Sequence, residues 1–354
     1  MAVLGSAIEL CDYRTPTTEF LQGKVSFFYQ HVDDPTVPAF TLSAGWLSFD
    51  ARRQHDSAAE GFTLGGDGRL TFRSLGLVQA QVGASGAVRQ YLGGNLPFYS
   101  FGGFEIALDT ATPQPRVEVE AGLGHGRFYD VTPLAKAVQI EAVLIARGVI
   151  PAALREDVLL AVAVATEEEG TTAERAERVV ALVEQALSDQ DLPRKLDATT
   201  GLAIEEIIAQ VGQERYCGWT AQAGMAYEIF DPRGGPRDLL LSLALDAAVP
   251  TDANSQLVLQ AKVAGPYWIT EQYTLTLEVT FETRLHDGIT FSTRYNLFQD
   301  KPRGQLPAGT QSALFRLEIS RGWVGVSLQM EFSKLAEALA WKQSIVISST
   351  AYLW

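Results

Sequence analysis

Two short segments of the chain contain residue types that could perform catalysis or bind phosphate. His55, Asp56 and Ser57 are the residue types of a hydrolase triad, but consecutive residues cannot adopt triad geometry, so the segment is predicted to be a turn. The run Gly122-Leu-Gly-His-Gly-Arg127 has the glycines of a phosphate-binding loop. It lacks the lysine and the βαβ context that such a loop needs, and glycines at the end of a strand explain it better.

The composition excludes several classes of function. The chain has 354 residues and a formal net charge of −14, which argues against a nucleic-acid binder because such proteins normally carry a basic patch. With four His and no Cys or His pair at ligand spacing, neither a metal site nor a cofactor is predicted. The longest wholly apolar run, Val158 to Ala165, is too short for a membrane-spanning helix. Met1 to Glu9 has no basic region and is not a signal peptide as it stands, so we interpret the chain as a mature form with an added Met.

The last third of the chain alternates apolar and polar residues, which is the pattern of strands with one apolar and one polar face. In residues 273–282 every odd position is apolar or aromatic and every even position is Thr or Glu. From Leu239 to Leu245 the odd positions are all Leu. A transmembrane β-barrel is the best single explanation of this pattern. The alternative is a soluble barrel or sandwich in the cytoplasm, which would need a second layer or a ligand to cover its outward apolar side chains.

The strand count predicts a mainly β fold, an antiparallel barrel of about 14 strands (12 to 16) with a helical insert. Residues 1–17 form an N-terminal segment, residues 18–130 about six strands, and residues 216–354 eight more; bacterial single-chain barrels have even strand numbers. Residues 131–215 repeat apolar residues at helical spacing and predict four helices, the first with Thr132 as its N-cap and Pro133 in its first turn. The acidic run 167–169 is predicted to be a solvated loop between helices.

The chain resembles bacterial outer-membrane β-barrel proteins in its alternating strands, its strand-end aromatic residues and its last strand, which ends in an aromatic residue. The strand-end aromatics are Trp219, Tyr267, Trp268, Tyr273, Trp323 and Trp341. In that family a terminal Phe or Trp is read by the barrel-assembly machinery, so the resemblance implies that Tyr352 and Trp354 form an assembly signal. Thr350 and Ser348 on the same face are less apolar than the family pattern. The resemblance also implies an outer-membrane location with lipid around the barrel; it covers both β regions but not the helical insert, and it matches no particular porin, enzyme or transporter family.

The alternation of long and short connections orients the predicted barrel. Tight turns are periplasmic in outer-membrane barrels, and the helical domain follows an even-numbered strand, so residues 131–215 are expected to face the periplasm. The same topology places Cys11 and Cys217 on the periplasmic side, where disulfides form. A disulfide between them and two separate thiols are both compatible with the sequence.

The polar strand faces carry the remaining functional signal. A barrel near 14 strands is wide enough for water and small solutes unless it is plugged, and opposed charges on neighbouring strands could select solutes. Salt-bridged residues that fill a closed lumen are the alternative. The charged residues predicted to point into the lumen are Lys24, Glu105, Glu118, Glu120, Glu228, Lys262, Glu278, Glu282, Arg284, Arg294, Arg316, Glu318 and Glu331.

These features lead to one main functional hypothesis. It is an outer-membrane channel or export component for small solutes or a secreted product, whose periplasmic helical domain gates the lumen or docks an envelope protein. The alternative is a non-transporting barrel that anchors a cell-surface assembly, such as a surface layer, a pilus or polysaccharide machinery. An enzyme is not predicted, because no nucleophile, base and oxyanion site can be assembled from the rim residues.

Overall fold

The structure is a computed structural model that describes most of the chain. The described residues are 8–15, 17–33, 41–73, 76–93, 97–189, 195–210, 214–230, 239–267, 269, 271–286, 288–321, 324–335 and 340–352. Trp268, Trp323 and Trp354 lie outside the described residues, and the side chain of Tyr352 is not described. The assembly signal therefore stays a prediction.

Fourteen strands of the described chain form a closed antiparallel barrel, six before the helices and eight after them. The first six are β1 (Thr18–Asp33), β2 (Thr41–Asp56), β3 (Glu60–Arg73), β4 (Gly76–Tyr91), β5 (Phe98–Asp109) and β6 (Arg116–Asp130). The last eight are β7 (Tyr216–Phe230), β8 (Leu239–Asp252), β9 (Ser255–Gly265), β10 (Tyr273–His286), β11 (Ile289–Lys301), β12 (Ala308–Arg321), β13 (Val324–Leu335) and β14 (Lys342–Tyr352). Each strand pairs with its sequence neighbour, and β1 pairs with β14 to close the barrel. The predicted antiparallel barrel of about 14 strands with a helical insert is confirmed.

The cross-strand register sorts the side chains onto two faces. Between β12 and β13, Leu317 lies opposite Leu328, and Arg316 lies opposite Gln329. Because successive side chains of a strand point to opposite faces, this register collects apolar side chains on one face and polar ones on the other.

The apolar face is the exposed outer face of the barrel. Ile345 and Ile347 of β14 are 65% and 66% exposed, and their neighbours Val326 and Leu328 of β13 are 52% and 48% exposed. Exposed Leu, Val and Phe side chains recur on strands around the barrel. The alternation read from the sequence therefore corresponds to an apolar outer surface.

The described helices match the predicted insert: α1 (Thr132–Ala146), α2 (Glu156–Glu167), α3 (Thr172–Asp189) and α4 (Ala198–Ile208). The prediction of Thr132 as the N-cap of α1 is wrong, because the cap position is Val131 and Thr132 is the first helical residue. The Asp130 carboxylate supplies the capping acceptor instead and receives the Thr132 amide at 2.8 Å. Gly148 follows the end of α1 with a φ of 69°, a left-handed conformation that favours glycine.

The acidic run between α2 and α3 lies partly inside a helix. Glu167 is the last residue of α2, and only Glu168 and Glu169 belong to the connection that follows. The prediction of a loop is wrong for Glu167, because helical hydrogen bonding continues until the Glu168 amide donates to the Val164 carbonyl at 3.3 Å.

The chain divides into two compact units, which we call the helical unit and the barrel unit. The described residues of the helical unit fall within 1–15, 129–218 and 248–256. Those of the barrel unit fall within 16–128, 219–247 and 257–354. Within the helical unit Cys11 and Cys217 form a disulfide, with their Cα atoms 5.4 Å apart. The described helices include none with the length and apolar character needed to span a membrane.

The core of the helical unit is apolar and contains residues from all four helices. Leu134, Ile140 and Leu144 of α1 are fully buried, as are Val179 of α3 and Ile204 of α4. With the equally buried Ala137, the core residues of α1 recur three or four positions apart, so one stripe of that helix faces the core.

Candidate functional site

The polar face of the strands points into the barrel. Lys262 Nζ of β9 lies 3.8 Å from Glu120 Oε2 of β6, although β7 and β8 separate these two strands. Gln222 Nε2 of β7 donates a 3.0 Å hydrogen bond to the Tyr99 hydroxyl of β5, across β6. Because a closed barrel is curved, side chains of strands that are not neighbours converge on its inner face and diverge on its outer face. These contacts therefore identify the interior face.

The register places the remaining predicted lumen residues on this same face. Glu278 lies opposite Asn296, and both line one interior cavity together with Glu120 and Lys262. Lys24 lies opposite Asp50 of β2. The interior positions of the strands hold all the charges named from the sequence: Lys24, Glu105, Glu118, Glu120, Glu228, Lys262, Glu278, Glu282, Arg284, Arg294, Arg316, Glu318 and Glu331. Their role in solute selection stays a prediction.

Several of these interior charges form ion pairs. Arg116 Nη2 donates to the Glu118 carboxylate at 2.6 Å, and Arg116 Nη1 lies 3.7 Å from Glu105 Oε1. Two further pairs are Arg294 with Glu278 at 3.3 Å and Arg316 with Glu318 at 2.6 Å. The interior wall therefore carries both signs of charge, and the pairs offset each other locally.

A buried network at the end of β2 was not predicted from the sequence. Asp56, the last residue of β2, is fully buried; the Tyr91 hydroxyl donates to its carboxylate at 3.1 Å, and Arg89 Nη1 lies 3.9 Å from it. Arg127 Nη2 donates to the Asp56 backbone carbonyl at 3.4 Å. The predicted turn is wrong for His55 and Asp56 and begins only at Ser57, because both residues belong to β2 and contacts from β4 and β6 hold Asp56 in the barrel. No local signal reveals this network, since its members are far apart in the chain.

Glycines of β6 make room for two aromatic rings of β5 inside the barrel. Gly124 lies opposite Tyr99, and Gly122 lies opposite Phe101. A Cβ atom at position 124 would lie 2.3 Å from Tyr99 Cζ; one at position 122 would lie 2.3 Å from the Ala223 carbonyl oxygen of β7 and 2.8 Å from Phe101 Cε1. The glycine-rich run therefore lies in a strand, as predicted, and its missing side chains admit the rings.

An interior cavity of about 530 Å³ lies in the barrel unit. Its wall combines amides, hydroxyls, carboxylates, one ammonium group and two phenyl rings. The side chains with these groups are Phe101, Glu120, Gln222, Ser242, Asp246, Gln260, Lys262, Thr276, Glu278, Asn296, Phe298 and Thr310. Such a wall can hydrogen-bond a small polar solute and contact its apolar parts. Among the described residues, no group of three or more His, Cys, Asp and Glu is arranged to hold a metal ion.

The helical unit has a groove of about 530 Å³ between α3 and α4. Its lining consists of small and apolar residues that recur at helical spacing, together with three carboxylates. The small and apolar residues are Ala173, Ala176, Val180, Ala181, Ala198, Gly201 and Leu202, and the carboxylates belong to Glu177, Glu184 and Glu205. Leu202 is 64% exposed. The groove therefore presents both apolar and acidic groups.

Titratable groups cluster in the helical unit near the ends of α2 and α4. Lys136 Nζ donates to the backbone carbonyls of Ile208 (3.0 Å) and Gln210 (3.4 Å), and burial lowers the pKa of Lys136. Partial removal of water from the carboxyl, together with the nearby Asp130 charge, raises the pKa of Glu167 to about 7. These groups couple the stability of the helical unit to pH.

Comparisons with known proteins give no sequence relative but several structural likenesses. No protein-family model matches the chain, and no curated protein gives a significant match. A Pseudomonas aeruginosa protein, OccK5 (OpdH), is 8% identical over 96% of this chain and 98% of its own, with a TM-score of 0.35. A BenF-like porin from Pseudomonas fluorescens Pf-5 is 7% identical over 96% and 98%, with a TM-score of 0.34, and a KdgM porin is 6% identical over 94% and 98%, with a TM-score of 0.31.

Proposed function

We propose that the protein is a bacterial outer-membrane β-barrel that forms a channel or export component for small polar solutes. The observation that carries this proposal is the opposite character of the two faces of the closed barrel. The exposed apolar surface extends over so many strands that it is far larger than the apolar patches of soluble monomeric proteins. In a closed barrel the backbone N–H and C=O groups bond to each other between strands, so the barrel can span a lipid bilayer. Lipid is then the partner of the outer face.

The interior face supports the passage of solutes. Its charges form pairs such as Lys262 with Glu120 and Arg294 with Glu278, and these pairs create transverse fields without one dominant sign. The interior cavity offers hydrogen-bonding groups to a solute that loses part of its hydration shell. A barrel of this strand number has room for water and small solutes.

The test is conductance through a planar bilayer. The full chain, purified in detergent and shown by circular dichroism to be folded, is expected to produce discrete, voltage-stable current steps in KCl. The same preparation should partition with outer-membrane fractions of the producing cells. Folded protein that stays electrically silent would contradict the channel, and protein recovered only in the soluble fraction would contradict the membrane location.

A second candidate function is the docking of an envelope protein by the helical unit, and the groove between α3 and α4 favours docking over gating of the lumen. The apolar part of the lining matches the apolar face of an amphipathic helix, and the carboxylates of Glu177 and Glu205 match basic residues on the flanks of that helix. The proposed occupant is therefore a basic amphipathic helix of a partner protein. A barrel that anchors a surface assembly would use the same groove.

Docking is tested by binding a fluorescent helix to the full chain. A labelled helix of Leu and Lys is expected to bind with increased fluorescence anisotropy, and the same helix with Glu in place of Lys is expected not to bind. Leu202→Lys places a positive charge in the apolar part of the groove lining and should weaken binding at least tenfold. The control is Val164→Lys, since Val164 of α2 is 51% exposed but lies outside the groove. Equal weakening by both variants would contradict the groove as the docking site.

A further inference from the structure

Neutral hydrogen-bonding side chains converge on the interior cavity from six consecutive strands. Each of the strands β7 to β12 contributes one amide or hydroxyl group to the wall. These side chains are Gln222, Ser242, Gln260, Thr276, Asn296 and Thr310. Amide and hydroxyl groups both donate and accept hydrogen bonds, so this wall can match hydroxyl groups presented in several orientations.

An aromatic ring is exposed inside the same cavity. Phe298 of β11 lies opposite Thr276 and Thr310, so its side chain shares the interior face with these polar neighbours. It is 43% exposed although it does not belong to the apolar outer surface. An apolar ring among hydrogen-bonding groups suits a solute that presents C–H groups on one face and hydroxyl groups at its edge.

Two of the three carboxylates of the cavity wall, those of Glu120 and Glu278, have a cationic partner. Glu120 pairs with Lys262 at 3.8 Å, and Glu278 pairs with Arg294 at 3.3 Å. Because the protein itself offsets the Glu120 and Glu278 charges, these parts of the wall favour a neutral polar solute over an ion.

We propose that this cavity is a binding site for neutral polyhydroxylated solutes, that is, sugars, with Phe298 as the surface on which the ring of the sugar stacks. The volume of about 530 Å³ lies within the range of small-molecule sites, roughly 300–1,000 Å³, and accommodates a disaccharide. The proposal rests on the proposed channel function for its role in transport, since the site would bind the solute during passage.

The test combines equilibrium binding with current block. Maltose is titrated against the full chain in a detergent without a sugar headgroup, and binding is followed by calorimetry; gluconate and glucosamine are the anionic and cationic probes. Saturable maltose binding at least tenfold tighter than that of either charged probe is expected. Non-saturable maltose binding, or equal binding of all three probes, would overturn the sugar site whether or not the protein conducts.

Phe298→Ala and Phe315→Ala form a matched pair of variants. Phe315 of β12 is 41% exposed, similar to Phe298, but it lies on the outer face opposite Thr293 and Met330. Loss of the stacking surface in Phe298→Ala should raise the maltose dissociation constant about tenfold, or roughly 1.4 kcal/mol. Phe315→Ala should leave it within about twofold. An unchanged constant in Phe298→Ala, with native circular dichroism, would overturn the assignment of Phe298.

The bilayer measurement separates this inference from the proposed function. If maltose lowers the ionic current with the same half-saturation as in calorimetry, the site lies in the conducting pathway. Saturable binding to a protein that does not conduct would support the sugar site and overturn the channel. Conductance without maltose block, from protein that also binds no maltose saturably in calorimetry, would leave the channel intact and overturn the sugar site. Conductance without block from protein that does bind maltose would overturn the placement of the site in the conducting pathway.

Discussion

Glu105 and Glu118 lie directly opposite each other in the register of β5 and β6, and Arg116 contacts both carboxylates. Opposed like charges destabilise a strand pair, and Glu118 is almost fully buried. The guanidinium of Arg116 therefore offsets a repulsion that the strand pairing itself creates. This arrangement makes Arg116 the most informative interior charge to remove.

Arg116→Gln is expected to lower the free energy of unfolding by about 1–3 kcal/mol, because it leaves a buried carboxylate without its cationic partner. In a conducting barrel it should also raise the permeability of K⁺ relative to Cl⁻, since the interior loses one positive charge. The measurements are denaturant unfolding and the reversal potential in a KCl gradient. Arg303→Gln is the control, since Arg303 pairs with Glu271 in an exposed position after β11. Equal effects of the two substitutions would contradict a special role for Arg116.

Gly124→Ala is expected to destabilise the barrel by about 1–3 kcal/mol, because the new Cβ atom would collide with the Tyr99 ring. The matched control is Gly66→Ala in β3, where a Cβ atom would meet nothing closer than 3.8 Å. Thermal unfolding in detergent, followed by the strand signal in circular dichroism, distinguishes the two. A Gly124→Ala protein as stable as Gly66→Ala would mean that the Tyr99 ring moves aside without cost.

The double substitution Cys11→Ser and Cys217→Ser is expected to lower the stability of the helical unit by about 2–4 kcal/mol, because the disulfide connects residues 206 positions apart and restricts the unfolded chain. A reducing agent should destabilise the native protein by a similar amount and leave the double variant unchanged. The helical signal in circular dichroism during denaturant unfolding is the measurement. Two free thiols in protein isolated under oxidising conditions would contradict the bond.

The stability of the helical unit is expected to depend on pH through Glu167. Its pKa of about 7 in the folded chain lies above the usual value of 4.5, so between these values the folded state holds a proton that the unfolded state has released. Stability should therefore fall as the pH rises through this window and level off above about pH 7. Glu167→Gln should reduce the decrease of stability with rising pH. Glu206→Gln, at an exposed position of α4, should leave that decrease unchanged. Parallel pH profiles of the native protein and Glu167→Gln would exclude Glu167 as the source.

The sequence predicts the barrel better than it predicts the interior. Alternation with a period of two depends only on local residue order, so the faces of β10 and the strand number follow from pattern alone. The Asp56 network depends on Tyr91, Arg89 and Arg127, which meet only when non-neighbouring strands close around one interior. Thr132 has the right side chain for the N-cap of α1, but the capping acceptor comes from Asp130 at the end of β6. Local patterns thus identify elements, and long-range contacts decide what individual side chains do.

Lys136→Met is expected to lower the free energy of unfolding of the helical unit by about 1–3 kcal/mol. The Lys136 ammonium group bonds to the carbonyls of Ile208 and Gln210 at the end of α4, and Met retains the packing of its aliphatic part but not these charge-assisted bonds. Amide hydrogen exchange should rise most in the last turn of α4, where the carbonyls lose their donor. Lys195→Met, at an exposed position before α4, is the control and should change stability by less than about 0.5 kcal/mol. Uniform exchange across all four helices in Lys136→Met would show instead that the substitution loosens the whole unit rather than one helix end.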